Sequence, residues 1–503
     1  MLSILKKFWH WRNRDKLILL FLVIVVSTAD LIWRAIDTRP PSVDMGRHLM
    51  TSLNYYNLFL DHKYLSLVTA YTYYPPLVYW LTISFYALLG TSLIVSVSAN
   101  VVFVAMLVFS VYGIGKYLWS NKVGLLSAIF VVFTPMLAME FKHFELDAPL
   151  TAIVALALYL LIRSEEFTNK KYSLLFGAIF GLGMLTKWTF TFFLIAPLLF
   201  AFFKCLIKCF KLKKFYLGNF LLSALIAYAI AMPWYLFNHS QILNDYLYNA
   251  YTVGEMAEPK VGTLLSNITY PNALISTQLY LIPSIMFLAG LVFCFMKVGR
   301  INKNIYLLLM IFGGLFILTL LPHKDYRYSL PILSGVAIIG VYWIGKIKNI
   351  KGKNFLGTIT VLYFFLSFFI ISFGTKLLPQ SIEFSVGGPF GVIAFAQHGY
   401  LTGPPRNENW HQEDIFKLMS QSQEANKTFF FEDIVTNWLN GFGLDYYSVR
   451  CNMRQVSRSE NPTFILIRGR TKQAVSEGYY LIEQYTLPDQ SYVELFQKST
   501  DNS

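Results

Sequence analysis

The 503-residue chain is 55% hydrophobic and only 14% charged, and its apolar residues fall in blocks about as long as a bilayer is thick, which excludes a soluble globular class. Its formal charge of +14 does not mark a nucleic-acid binder, because most Lys and Arg lie in short loops between apolar blocks, where they orient helices and meet anionic headgroups. The four cysteines, Cys205, Cys209, Cys294 and Cys451, show no metal-type spacing and allow no disulfide framework.

A basic stretch ending at Lys16 precedes an apolar run from Leu17 to Ala29 with no convincing cleavage site after it, which reads as a retained first helix. In chain order the apolar runs predict eleven spans, near 17–36, 91–115, 123–139, 148–162, 172–186, 188–203, 216–236, 275–296, 304–321, 328–345 and 354–374. The fifth and sixth share one stretch interrupted at Thr186-Lys187, so a single broken helix is the alternative there. The fifteen residues from Pro76 to Gly90 are short for a span. Reading them as an interfacial helix puts the basic clusters around Lys116, Arg163, Lys208, Arg300 and Lys348 on the amino-terminal side. Residues 37–90, 237–274 and everything after Lys376 then lie outside, and the last of these alternates strand-like runs (Phe429–Phe431, Phe464–Ile467, Tyr479–Ile482) with the helix-like Glu413–Met419. The expected architecture is a polytopic α-helical membrane protein of about 11 transmembrane helices over residues 1–375, with interfacial helices in the first outer loop. A small C-terminal α/β extracytoplasmic domain follows over 376–503.

This threading brings distant ionisable residues to one surface: Asp44, Glu140, His143, Glu145, Asp147, Lys187, His323, Lys324, Asp325 and Arg327. Such groups are costly at a membrane edge and tend to face a cavity. Acids beside an acceptor hydroxyl withdraw its proton, and cations stabilise a departing phosphate. Each residue also has a structural reading. Asp44 can cap the helix beginning beside it, and Glu145 or Asp147 can cap the fourth span, with Pro149 in its first turn. Lys187, Lys324 and Arg327 can snorkel to headgroups, although three cations on the side poor in them run against the positive-inside bias. His143 and His323 read as hydrogen-bonding residues, and no metal centre is assigned. The aromatic run around Tyr73 and Tyr74 reads as an interfacial belt.

An ordered set of short motifs carries a family resemblance. It comprises Asp44, Tyr74-Pro75-Pro76-Leu77, Tyr79-Trp80-Leu81, Thr134-Pro135 with Glu140, Asp147-Ala148-Pro149-Leu150, Gly181 to Lys187, Pro233-Trp234-Tyr235 and Arg327-Tyr328-Ser329-Leu330-Pro331. Over residues 1–345 the chain resembles the bacterial protein O-mannosyltransferase and lipid A aminoarabinose transferase group, membrane glycosyltransferases of the GT-C class. The resemblance implies an inverting transfer of a sugar from a polyprenyl-phosphate donor to a lipid, protein or glycan acceptor. It implies Asp44 as base, Asp147 with Glu145 as supporting acids, and Lys187, Arg327 and Lys324 on the carrier phosphate. Arg47, His48, Glu140, His143, Tyr74 and His323 complete the candidate site. Met45 stands where many relatives carry a second acid, which counts against a metal held between two acids; no cofactor is assigned, and a divalent ion stays an open alternative. A prokaryotic inner-membrane location, with site and C-terminal domain outside the cytoplasm, fits the Lys-, Ile-, Asn- and Phe-rich composition. The rival readings are an oligosaccharyltransferase or glycan ligase, and a polytopic transporter; against the transporter stand the missing inverted repeat and the outer domain.

Overall fold

A computed structural model describes residues 13–248, 259–374, 383–385, 392–394, 403–422, 427–433, 439–469 and 478–499. Helix α1 (Asn13–Ile36) carries Asp15 in its first turn and Arg34 in its last, matching the helix dipole at both ends. The first loop then forms α2 (Val43–Leu60) and α3 (Leu77–Leu89). At 1.5 Å per residue, α3 is about 20 Å long, short of a roughly 30 Å hydrocarbon layer. Next come α4 (Leu93–Leu118), α5 (Asn121–Val132) and α6 (Pro135–Glu140), the last two separated at Thr134 with Pro135 at the first helical position. Helix α7 (Asp147–Arg163) is buried along almost its whole length against α4 and α8 (Lys170–Met184), and its small residues Ala148, Ala152, Ala155 and Ala157 admit that close packing.

The interruption at Thr186-Lys187 is a true break, because α8 ends at Met184 and α9 (Phe190–Leu212) begins anew. Helix α10 (Leu217–Leu247) contains Pro233. After α11 (Leu264–Ala273) and a π-helical stretch, Leu274–Leu279, come α12 (Leu281–Phe295) and α13 (Val298–Leu320). A 3-10 turn, Tyr326–Ile332, leads into α14 (Leu333–Tyr342), and α15 (Ile350–Phe373) closes the bundle. All eleven expected runs are helical, and seven of the helical segments among the described residues are long and apolar enough to cross a membrane. The other four, α5 with α6, α7, α8 and the Leu274–Phe295 region, are shorter or interrupted. The chain is a multi-pass membrane protein.

The expected domain boundary at 375/376 lies outside the described residues. Strands β1 (Glu383–Ser385) and β2 (Val392–Ala394) form a small antiparallel pair. The main sheet comprises β3 (Thr428–Asp433), β4 (Arg454–Gln455), β5 (Phe464–Gly469), β6 (Tyr479–Thr486) and β7 (Tyr492–Lys498) in the order β4-β3-β5-β7-β6. β3 runs parallel to β4 and β5, while β7 is antiparallel to both its neighbours. Helices α16 (Gln412–Ser420) and α17 (Gly441–Arg450) complete this unit. α17 lies along α2, so closely that a Cβ on Gly46 would stand 2.7 Å from the Phe442 and Gly443 backbone. Asn440 caps α17 by accepting from Gly443 N, and its amide donates to the Pro41 carbonyl at 3.0 Å. The sheet domain is therefore fastened to the first-loop helix that carries Asp44.

Candidate functional site

Four segments meet at one end of the bundle, and each is pinned by a buried polar contact. Ser42 caps α2 by accepting from Met45 N, which frees Asp44, the second residue of the helix, from the capping role. The turn before α7 is held by Asn100, whose amide donates to the Phe141 and His143 carbonyls at 3.0 and 2.9 Å. A fully buried Lys142 ties the same turn to Asp30 of α1 at 3.3 Å. The α8–α9 turn is joined to the first loop by Leu77 N donating to the Leu185 carbonyl at 2.8 Å. Gln278 secures the 3-10 turn by donating to the Tyr326 carbonyl and the Ser329 hydroxyl at 2.6 and 2.8 Å.

Arg327 stands at the centre. Its guanidinium reaches Asp325 at 2.7 Å, Asp44 at 2.9 Å across 283 residues of sequence, and Glu145 at 3.8 Å. Beside it Lys187 Nζ donates to Asp147 Oδ1 at 2.7 Å, both side chains being almost wholly buried. Neither Asp147 nor Glu145 caps α7, whose first turn has no side-chain cap. Glu145 instead receives the Ser42 hydroxyl at 3.4 Å and faces His48 Nε2 at 3.6 Å. Tyr79 contacts His48 Nδ1 at 2.8 Å.

Electrostatics separates the two acids around Arg327. Burial alone would raise Asp44, but Arg327 outweighs it and holds this carboxyl below the usual carboxylate range. Glu145 goes the other way, pushed well up by burial that Arg327 only partly offsets. His48 is driven down to about 3 by burial, against the opposing pull of Asp44, and is neutral at pH 7. Lys187, which burial alone would lower, is held above the ordinary lysine range by Asp147. Exposure separates the acids too: the Asp44 side chain is 43% exposed, those of Glu145 and Asp147 3% and 4%. Asp44 is the most exposed of the three carboxyls.

Lys187 opens on a cavity of about 80 Å³ walled by Tyr73, Tyr74, Trp188 and Tyr328, with Phe192 and Leu321 along its apolar side. Its ammonium lies over the Tyr74 and Tyr328 rings at 5.3 and 5.0 Å. His323 borders this cavity, edge-on to Tyr328. Arg47 lies over the rings of Tyr73 and of Phe442 from α17, which brings the C-terminal domain to the rim of the site.

Two expected residues have partners outside the Arg327 cluster. Lys324 donates to the carbonyls of Leu318 and Thr319, at 3.0 and 2.6 Å, where it offsets the negative end of α13. His143 packs edge-on to Trp33. Glu140 is buried and feels the charges of Arg327 and Asp147 without bonding to either. Trp188 and Phe442 are contributors that reading the chain did not single out, while Asp325, Tyr79 and Tyr328 were named in the chain without a role of their own. Asp325 was legible as a neighbour two residues before Arg327, whereas the rings carry no local signal that tells a cavity wall from a headgroup belt.

The fold is that of the GT-C class of membrane glycosyltransferases. Residues 74–236 match the family described as dolichyl-phosphate-mannose-protein mannosyltransferase. The structure is similar to that of ArnT from Cupriavidus metallidurans bound to undecaprenyl phosphate, with a TM-score of 0.59 and 12% identity over 95% of this chain and 97% of that one. Its apo form gives 0.58 and 11% over the same shares. The apo oligosaccharyltransferase of Archaeoglobus fulgidus gives 0.50 and 11%, over 88% of this chain and 65% of that one. No curated protein matches in sequence. Family match and fold agree on one class, a membrane glycosyltransferase.

Proposed function

We propose that the chain moves a sugar from a polyprenyl-phosphate carrier to an acceptor hydroxyl on the extracytoplasmic face of a prokaryotic inner membrane, with inversion at the anomeric carbon. One observation carries this reading. An exposed carboxylate, Asp44, held at 2.9 Å by Arg327, lies within electrostatic reach of a buried ammonium, Lys187, that opens on an aromatic and apolar cavity.

The acceptor oxygen attacks the anomeric carbon as its proton passes to Asp44, and the carbon–phosphate-oxygen bond breaks with its electron pair left on the phosphate. Lys187 and Arg327 offset the charge that the phosphate gains, a contribution that depends on their being fixed beforehand by Asp147 and Asp325. The carrier tail extends along Phe192 and Leu321 into the membrane, while the domain over residues 376–503 meets the acceptor at the Arg47–Phe442 contact. The bound undecaprenyl phosphate of the Cupriavidus metallidurans protein supports a carrier of this kind here.

The test is release of polyprenyl phosphate from a panel of labelled polyprenyl-phosphate sugars by purified protein in lipid, with crude acceptor extracts. Donor-dependent release that disappears in Asp44→Asn is expected. No release from any donor, with or without divalent metal, would sink the proposal.

A further inference from the structure

The end of the bundle opposite Asp44 carries a second cavity that the transfer reaction does not use. There α1, α5 and α15 border a groove of about 670 Å³. Its rim holds three cations, one from the first turn of each helix: Arg14, Lys122 and Lys353. Among the described residues none of the three has a carboxylate partner, since Lys122 donates to the Asn354 side chain at 3.4 Å and Lys353 to the Gly345 carbonyl at 2.8 Å. Asp15, the acid next to Arg14, is buried and accepts from Tyr112 and Asn121 instead.

Below the rim the walls turn apolar, with Ile18, Ile129 and Leu362. From Lys122 to Ile129 and from Lys353 to Leu362 the helices descend about 10 and 13 Å, at 1.5 Å per residue. Gly357 lies between these levels on α15, and a Cβ added to it would meet nothing within 4 Å. Gly290, by contrast, admits a neighbour, lying beneath the Ile339 carbonyl. Gly357 serves no such approach, although a glycine inside a helix costs roughly 0.5–1 kcal/mol relative to alanine; what its missing side chain provides is open space in the groove.

We propose that this groove binds one anionic phospholipid of the surrounding bilayer, its phosphate held by Arg14, Lys122 and Lys353 and an acyl chain laid past Gly357. Cations that merely orient helices need no groove beneath them; here three unpaired by acids converge from separate parts of the sequence above an apolar slot. The inference stands independently of the transfer reaction, whose phosphate-binding residues lie at the other end.

The experiment uses delipidated full-length protein in neutral detergent, with polyprenyl phosphate present throughout so that the far site is filled. Phosphatidylglycerol, phosphatidylcholine and inorganic phosphate are titrated separately, and binding is read from the unfolding midpoint and from lipid retained in native mass spectra. Phosphatidylglycerol should raise the midpoint, and the other two should not. Lys122→Gln with Lys353→Gln should weaken phosphatidylglycerol binding roughly 30-fold, the affinity equivalent of about 1 kcal/mol per cation. Gly357→Leu, which keeps every charge, should also weaken it by filling the slot. Each variant is read against its own lipid-free midpoint, so a change in starting stability does not enter. Equal response to phosphatidylcholine, or wild-type affinity in either variant, would overturn the proposal.

Discussion

Replacing Lys187 by Met and Asp147 by Asn, singly and together, separates a structural ion pair from a catalytic one. The pair is 2.7 Å apart with side chains 6% and 4% exposed, so water screens it little. At an effective dielectric near 20 the attraction is roughly 6 kcal/mol, against a desolvation cost of several kcal/mol per ion, so the pair as a whole is nearly neutral for stability. Removing one partner is different, because it strands a buried charge at a cost of about 3–5 kcal/mol. Each single variant should therefore unfold well below wild type in detergent, and the double variant should recover most of the loss, giving a coupling of about 5 kcal/mol or more. Polyprenyl phosphate release should remain absent in all three, since the double variant restores packing but not the cation. Lys187 is held above the ordinary lysine range, so the stability from its pairing is fully present below that range and is lost only as pH rises through the raised value. In Asp147→Asn the lysine loses that support and its pKa falls, so this variant's deficit should shrink on the alkaline side. A double variant that transfers sugar normally would remove both residues from the mechanism, and additive losses without recovery would refute the ion-pair energetics.

Asp44→Asn should abolish transfer while leaving the unfolding midpoint within about 1 kcal/mol of wild type, because Ser42 and not Asp44 caps α2. Arg327 depresses the Asp44 pKa, so Asp44 stays ionised through the ordinary carboxylate range and activity should fall only as pH drops below that range. In Arg327→Gln the residual activity should lose its acid limb at higher pH; an unmoved limb in the pH–rate profile would show that Asp44 is not the titrating base. Gly46→Ala should drive α17 off α2, since the new Cβ meets backbone that cannot rotate aside, and acceptor-dependent transfer should drop more than binding of labelled donor. Equal loss of both would argue that the C-terminal domain has no part in acceptor use.

What the chain declared in advance follows from what membranes punish. Apolar length and the side on which Lys and Arg fall are written residue by residue, so the helical runs and the break at Lys187 could be read directly. The same logic found Asp44, Asp147, Glu145, Lys187 and Arg327, because a charge at a membrane edge is costly and invites a reason. It is silent where a partner is supplied by the backbone. The resemblance implies Lys324 as a third phosphate ligand, and in the structure it donates to the carbonyls at the end of α13, a partner that exists only once the helix does.

Capping was undecidable for a related cause. Ser42 and Asp44 stand two residues apart, both suited to start a helix, and the choice depends on where the Arg327 guanidinium arrives from 283 residues away. Because Ser42 takes the backbone, Asp44 is free to keep 43% of its side chain exposed while Arg327 keeps it charged. Glu145, 3% exposed and facing the same guanidinium at 3.8 Å, is pushed toward protonation. Two carboxyls on one arginine thus differ in both access and charge, and each difference comes from burial that only the assembled bundle creates. A base that must meet an acceptor from solution has to be the exposed, ionised one, so on the proposed reading the task falls to Asp44 and not to Glu145.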